Sequence, residues 1–316
     1  MIEGMDKNFK NKIILVTGGT GQVGSFLVEK LCKKGAKVFV IGRDKNNLKE
    51  IEYLVKLKKV IFLECDLTNI KDFTKISNSL KKVNFLIYLS SELNKMKSDI
   101  IANANDAIDL NVKGVIHLLK ITPNIKGIIY ASSTSVYGKT NKNSINEKNI
   151  TNPISFYGCS KLGAEKYLDI YCKYNSILLT ILRYSTIYGP RNRTNQIIPI
   201  LIKKALKNET ITLSDKGKTK RDFVYIDDVI DVTMNSINNY QNGIFNIGSG
   251  KGITMYKIAK TILKLTNSKS EIIFDGVSNK LNFVANIEKA KKNLNLRCKT
   301  NIDKGILNEI KWHKLN

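Results

Sequence analysis

The chain has 316 residues, 42% of them hydrophobic, and a formal net charge of +25 at pH 7. That much apolar material can build a core and excludes global disorder, and no run of about eighteen apolar residues exists to span a membrane. The charge would suit nucleic acid, an anionic surface or a phosphorylated small molecule. Lysine is spread along the whole chain without an arginine-rich or basic-aromatic cluster, so a phosphate-bearing ligand is expected and no nucleic acid or membrane partner.

"KIILVTGG" is a short apolar run that stops at glycine, the mark of a buried strand. "VGSFLVEKLCKKG" follows with helical spacing and ends at Gly35, a plausible C-cap. "AKVFVIG", "KVIFLECD" and "KVNFLIYLS" are the next three strands. "DAIDLNVKGVIHLLKIT" is helix-like, and "IKGIIYASS" is a fifth strand. An amphipathic helix runs from the Tyr157 segment to about Tyr174, and "ILLTILRYS" is a sixth strand. Strict alternation of strand and helix predicts a parallel sheet covered on both faces. After Gly189 and Pro190 the pattern changes: "QIIPILIKKALKN" is helix-like and "GIFNIGSGKGIT" is a strand and turn. From Tyr256 onward the chain is lysine-rich and mixed.

"VTGGTGQVG" carries Gly18, Gly19, Gly21 and Gly24 between the first strand and the first helix. Glycines there allow a tight turn and let backbone N–H groups approach a pyrophosphate, whose charge the helix N-terminus favours. The expected fold is therefore α/β, a doubly wound Rossmann sheet with a smaller C-terminal α/β lobe. Residues 1–185, with a return segment at about 222–250, would hold a dinucleotide; residues 186–221 and 251–316 would bind substrate. The second strand ends "IGRDK", with Gly42 where a ribose-binding acid usually stands and Arg43 after it. An arginine suits a 2′-phosphate, which tilts the cofactor from NAD towards NADP, while Asp44 keeps NAD open. Asp66 ends the third strand and could meet adenine or cap the next helix.

Two Tyr-x3-Lys pairs occur, Tyr157/Lys161 and Tyr256/Lys260. About two are expected by chance at this lysine density, so spacing alone decides nothing. A lysine at i+4 shares a helix face with the tyrosine, and its charge favours the phenolate. A phenol so tuned can exchange a proton with an alcohol while hydride passes to or from a cofactor. "YASSTSVYG", after the fifth strand, supplies hydroxyls to hold the reacting oxygen.

In order, "TGGTGQVG", "CDLT", "LNVKG", "SSTSVYG", "YGCSK", "LRYSTIYGPR", "RDFVYIDD" and "FNIGSGKGIT" resemble the extended short-chain dehydrogenase/reductase family, in its nucleotide-sugar epimerase/dehydratase branch. The resemblance implies Ser133, Tyr157 and Lys161 as the catalytic set. It matches Asn111 to the family's helix asparagine and Arg221 to an arginine that meets a substrate phosphate, against a plain ion pair with Asp222 or Asp227. The expected cofactor contacts are Gly18, Gly21, Gln22, Val23, Gly24, Arg43, Asp66, Leu67, Leu89, Asn111, Tyr157 and Lys161. The expected substrate contacts are Ser133, Thr134, Thr186, Arg191 and Arg221. Family dehydratases resemble "TDEVYG"; Thr134 and Ser135 stand here instead, so elimination of water is not expected. Thr186 replaces a usual asparagine, and "YLSS" (Tyr88 to Ser91) a usual "HLAA". The implied activity is oxidoreduction at a ring carbon, C4, of a nucleotide-diphosphate sugar, as an epimerase, with a 4-keto-sugar reductase or a 4-dehydrogenase as alternative. A homodimer built on the helices near Asn111 and Tyr157 is implied as well.

The five cysteines, Cys32, Cys65, Cys159, Cys172 and Cys298, are scattered without a C-x-x-C. That usage fits a reduced, cytoplasmic protein with no metal site. Cys159 is expected to pack as a small residue on its helix.

Overall fold

The computed structural model describes residues 9–10, 12–92, 99–140, 144–192, 196–239, 241–277 and 282–316. Its elements are β1 (Ile13–Thr17), α1 (Gln22–Lys33), β2 (Lys37–Gly42), α2 (Glu52–Lys56), β3 (Val60–Glu64), α3 (Ile70–Leu80) and β4 (Phe85–Tyr88). There follow α4 (Ile100–Ile108), α5 (Gly114–Ile121), β5 (Gly127–Ser133), α6 (Phe156–Tyr174), β6 (Leu178–Tyr184), β7 (Thr186–Tyr188), α7 (Ile197–Leu206) and β8 (Ile211–Leu213). The last are β9 (Lys220–Tyr225), α8 (Ile226–Asn239), β10 (Gly243–Ile247), β11 (Gly252–Thr254), α9 (Met255–Thr266), β12 (Ile272–Phe274), α10 (Glu288–Leu294) and α11 (Ile302–Leu315).

Two compact units divide the chain: residues 1–138, 153–182 and 233–244, and residues 139–152, 183–232 and 245–316. The first is built on a seven-stranded sheet in the order β10-β6-β5-β4-β1-β2-β3. Its pairs β3–β2, β2–β1, β1–β4 and β4–β5 are parallel. Chain order reverses between β1 and β4, which leaves a crevice at the carboxyl ends of the strands. The strands are apolar because both faces are covered: β4 is buried throughout, and β1 and β2 nearly so. Leu15, Ile41, Leu86, Val115, Leu118 and Leu168 belong to one core cluster. Each such side chain stabilises by roughly 1.5–3 kcal/mol when fully removed from water.

Local signals set the helix ends. Gly35 takes φ +85° just past α1, the left-handed position glycine fills without strain. Ser155 caps α6 by accepting from the Gly158 N–H at 3.1 Å. Asn69 caps α3 by accepting from the Lys71 N–H. That settles one alternative for Asp66, which is not the cap: its carboxylate accepts from Thr68 N–H at 2.9 Å and from Thr68 Oγ1 at 2.8 Å.

The helix-like stretch around Asn111 is not one α-helix. A π-helical turn, Asp109–Lys113, separates α4 from α5. Two strand tyrosines account for it. Tyr88 Oη donates to Leu110 O at 2.5 Å and Tyr130 Oη to Asn111 O at 3.0 Å. These hydroxyls satisfy carbonyls inside the widened turn.

The second unit holds a three-stranded sheet, β11-β9-β7, and a two-stranded one, β12-β8. Its core joins Ile198, Ile202, Ile258, Ile262, Ile306 and Ile310 from α7, α9 and α11 with Tyr188, Leu213, Phe223 and Val224 from β7, β8 and β9, all buried. The mixed lysine-rich segment after Tyr256 is thus mainly α9, α10 and α11 with surface lysines. No helix among the described residues is long and apolar enough to cross a membrane.

Candidate active site

The glycine loop joins β1 to α1, with Gly21 at the helix N-cap. Gly18 takes φ +66°. A Cβ on Gly24 would lie 2.1 Å from Gly18 O and 2.6 Å from Gly19 Cα, so only glycine lets α1 pack this close to the loop. Thr17 Oγ1 accepts from the backbone N–H groups of Leu89 and Ser90, each at 3.1 Å, and pins the end of β4 beside the loop.

A cavity of about 480 Å³ opens at these strand ends. Its wall brings together Gly18, Gly21, Arg43, Asp66, Leu67 and Leu89, six of the expected cofactor contacts, with Thr20, Gly42, Ser90, Ser91 and Glu92. Gln22, Val23 and Gly24 stand on the first turn of α1 and contribute its N-terminal end, not wall. The size suits an organic ligand, and the cradle of backbone at a helix N-terminus suits a pyrophosphate. The residues present therefore fit a dinucleotide. At the ribose end, a Cβ on Gly42 would come within 2.9 Å of Phe62 Cε2, so an acid there would displace that ring. Asp44 caps a short turn by accepting from Asn46 N–H at 2.8 Å and is not in the wall.

Ser133 ends β5, and Tyr157 and Lys161 lie on the first two turns of α6, all within the first unit. Desolvation by burial holds the Tyr157 phenol above its ordinary value, and the Ser133 hydroxyl beside it acts against this by favouring the ionised form. With the phenol neutral, Ser133 Oγ donates to Ser135 Oγ at 3.0 Å and accepts from Ser135 N–H at 3.1 Å. Lys161 is 1% exposed. Its Nζ donates to Ala131 O at 2.8 Å and lies 4.9 Å from the Tyr130 ring centre and 5.8 Å from that of Tyr157. Burial pulls the ammonium down to about 7, against an opposing pull from Glu165.

Asn111 is fully buried in the π-turn and is not part of the cavity wall. Its Nδ2 donates to Ser160 Oγ at 2.9 Å, and its Oδ1 accepts from Glu92 N–H at 3.1 Å. It ties α6 to the segment after β4, one residue from Ser91. Cys159 is exposed and does not pack, contrary to expectation, because its position on α6 faces away from the core.

Ser91 is a site residue whose role the sequence did not disclose. Its buried hydroxyl approaches the Tyr157 phenol and favours the phenolate, without a hydrogen bond of good geometry. The only sign in the sequence is a serine where the family pattern has alanine. Glu165 is the other, 2% exposed, its Oε1 accepting from Ser132 Oγ at 2.5 Å. Its signal was present: it stands four residues after Lys161 on the same helix face.

Thr186, Arg191 and Arg221 belong to the second unit. Thr186 starts β7 opposite Phe223 of β9, and Arg221 is exposed on β9 opposite Ile253. Asp222 is no ion-pair partner for Arg221. Its carboxylate accepts from Ser249 N–H and Oγ, each at 2.7 Å, and from Gly250 and Ala285 N–H, each at 3.1 Å. Arg191 takes φ +64° beside Pro190. The other tyrosine–lysine pair, on α9, has its Nζ 5.7 Å from the Tyr256 ring centre, but both residues are exposed.

A family model, the NAD dependent epimerase/dehydratase family, matches residues 14–248. The putative UDP-glucose 4-epimerase of Methanocaldococcus jannaschii is 31% identical over 96% of this chain and 99% of its own. The dTDP-D-glucose 4,6-dehydratase of Dictyostelium discoideum is 32% identical over 80% of this chain and 62% of its own. The crystal structure of UDP-glucuronic acid 4-epimerase from Bacillus cereus, with UDP-glucuronic acid and NAD, aligns with a TM-score of 0.86 at 26% identity, over 96% of this chain and 99% of that one. With the glycine loop, the strand-end cavity and the Ser-Tyr-Lys set in place, these matches settle the assignment: the chain belongs to the NAD dependent epimerase/dehydratase family.

Proposed function

We propose that the protein is an NAD-dependent enzyme that interconverts the C4 epimers of a nucleotide-diphosphate sugar. One observation carries this reading against dehydration: the serine–tyrosine–lysine set is complete, yet the loop after Ser133 offers Thr134 and Ser135 and no carboxylate. Both epimerases and a dehydratase are among its relatives at similar identity, so the loop decides.

NAD, when bound, supplies the hydride acceptor and, in its oxidised form, a positive charge. Tyr157 Oη takes the proton of the C4 hydroxyl and returns it. Ser133 Oγ holds the reacting oxygen. Lys161 favours the phenolate through its charge. Desolvation raises the phenol above its ordinary value, and the Ser133 and Ser91 hydroxyls act in the other direction. Arg221 and Arg191 are assigned to the substrate's phosphates, and Thr134 and Thr186 to the sugar. NAD is preferred to NADP because the Bacillus cereus relative binds NAD; Arg43 in the cavity wall, with Gly42 in place of an acid, would favour a 2′-phosphate. Parallel titrations with NAD and NADP separate the two.

A homodimer is part of this reading. Tyr167, Ile170 and Tyr174 of α6 are exposed, and a groove of about 220 Å³ runs beside them, lined by Ile116, Leu119, Tyr167 and Tyr171. Light scattering on the purified protein tests it. The location assigned is the cytoplasm. For the activity, the purified protein is incubated with UDP-, dTDP-, GDP- and CDP-sugars. A C4 epimer formed without net cofactor reduction supports the proposal. A 4-keto-6-deoxy product, or stoichiometric reduced cofactor, refutes it.

A further inference from the structure

We propose that Glu165 is a positioning residue of the Tyr157–Lys161 pair, its carboxylate holding the buried lysine in the charged form that the reaction uses. The inference rests on the proposed role of Lys161.

The geometry starts from a buried cation with few partners. The described groups around Lys161 are the Ala131 carbonyl and the Tyr130 ring from β5, and Tyr157 and Glu165 from α6. Asn111 approaches from the π-turn only through Ser160, and both are neutral. A carbonyl and a ring face do not replace the hydration of a buried ammonium. Glu165 is the acid in this set. It lies one helical turn beyond Lys161, on the same face of α6.

Two contacts hold the carboxylate there. Ser132 Oγ, next to Ser133, donates to Oε1 at 2.5 Å. Glu165 also lines a second cavity of about 100 Å³ with Lys166, Asp169, Leu179, Ile181 and Asn242. The charged neighbours of Glu165 on that side, Lys166 and Asp169, are of opposite sign. Burial pulls Lys161 down to about 7, and Glu165 is the group that acts in the other direction. Without it the lysine would lose its proton at lower pH.

The test is the pH profile of Glu165→Gln, which keeps the shape and an acceptor for Ser132. Its activity relative to the parent enzyme should fall about fivefold more at pH 8 than at pH 6, the change expected when the lysine limb moves down by one unit from about 7. A loss of equal size at both pH values would overturn the proposal. Glu165→Ala with and without formate is a second route, open where the glutamine variant does not fold. Formate should restore the alkaline activity, and no restoration would count against Glu165. Lys161→Met separates the two levels. If it is inactive while Glu165→Gln has a parental profile, only the role of Glu165 fails. If Lys161→Met is active, the role of Lys161 fails and this inference with it.

Discussion

Replacing Gly24 by alanine tests how the loop and α1 make the dinucleotide site. The added Cβ would lie 2.1 Å from Gly18 O, 2.6 Å from Gly19 Cα and 2.8 Å from Gly18 C. Ordinary contact begins near 3.4 Å, so the loop must retreat by about 1.3 Å. All three atoms are backbone, and no side chain can swing aside. Overpacking of this kind costs roughly 1–3 kcal/mol. For a chain of this size that is a drop of about 1.5 °C in Tm per kcal/mol. The larger effect is on binding, because Gly18 and Gly21 line the cavity and would move with the loop. Calorimetric titration with NAD should show a loss of at least about tenfold in affinity, equal to some 1.4 kcal/mol. A Gly24→Ala protein that melts within a degree of the parent and binds NAD equally well would refute the packing argument and the cradle built on it.

Lys161→Met should change the pH dependence of stability in the cofactor-free protein. Lys161 is at about 7 when folded and 10.5 ordinarily, so between these values the unfolded chain binds a proton that the folded one lacks. Stability then rises with pH across this window, and the lysine's penalty is full below pH 7 and gone above 10.5. The methionine variant should exceed the parent in Tm most at pH 7, with the gap closing towards pH 10; an equal gap at both would contradict it. Ser91→Ala should lower turnover by several-fold at neutral pH and shift the tyrosine limb upward, because one hydroxyl favouring the phenolate is lost, while NAD affinity stays unchanged. A parental pH profile in that variant would remove Ser91 from the site.

The sheet and the glycine loop were legible because their signals are local. Apolar strands that stop at glycine, and glycines before a helix, are written in consecutive residues. The π-turn was not, because the hydroxyls that satisfy its carbonyls come from Tyr88 and Tyr130 on separate strands. Asp66 had two readings that only the position of Asn69 as cap could separate. Arg221 and Asp222 are adjacent, which suggested an ion pair; the carboxylate instead receives donors from Ser249, Gly250 and Ala285. The two tyrosine–lysine pairs have nearly the same nitrogen-to-ring distance, 5.8 and 5.7 Å. What separates them is the burial of Lys161, a tertiary property that spacing does not encode. Glu165 was visible as an i+4 acid, but its contact with Ser132 depends on how α6 lies against β5.

The central claim is internal oxidation and reduction at C4 with Tyr157 as the proton carrier. Its most direct measurement is proton NMR of nucleotide-diphosphate sugars incubated in D2O with the parent enzyme and with Tyr157→Phe. The account predicts a C4 epimer carrying no solvent deuterium on carbon with the parent, and no product with the variant although it still binds NAD. Epimer formation by Tyr157→Phe at the parental rate, or deuterium on C4 of the parent's product, would contradict it.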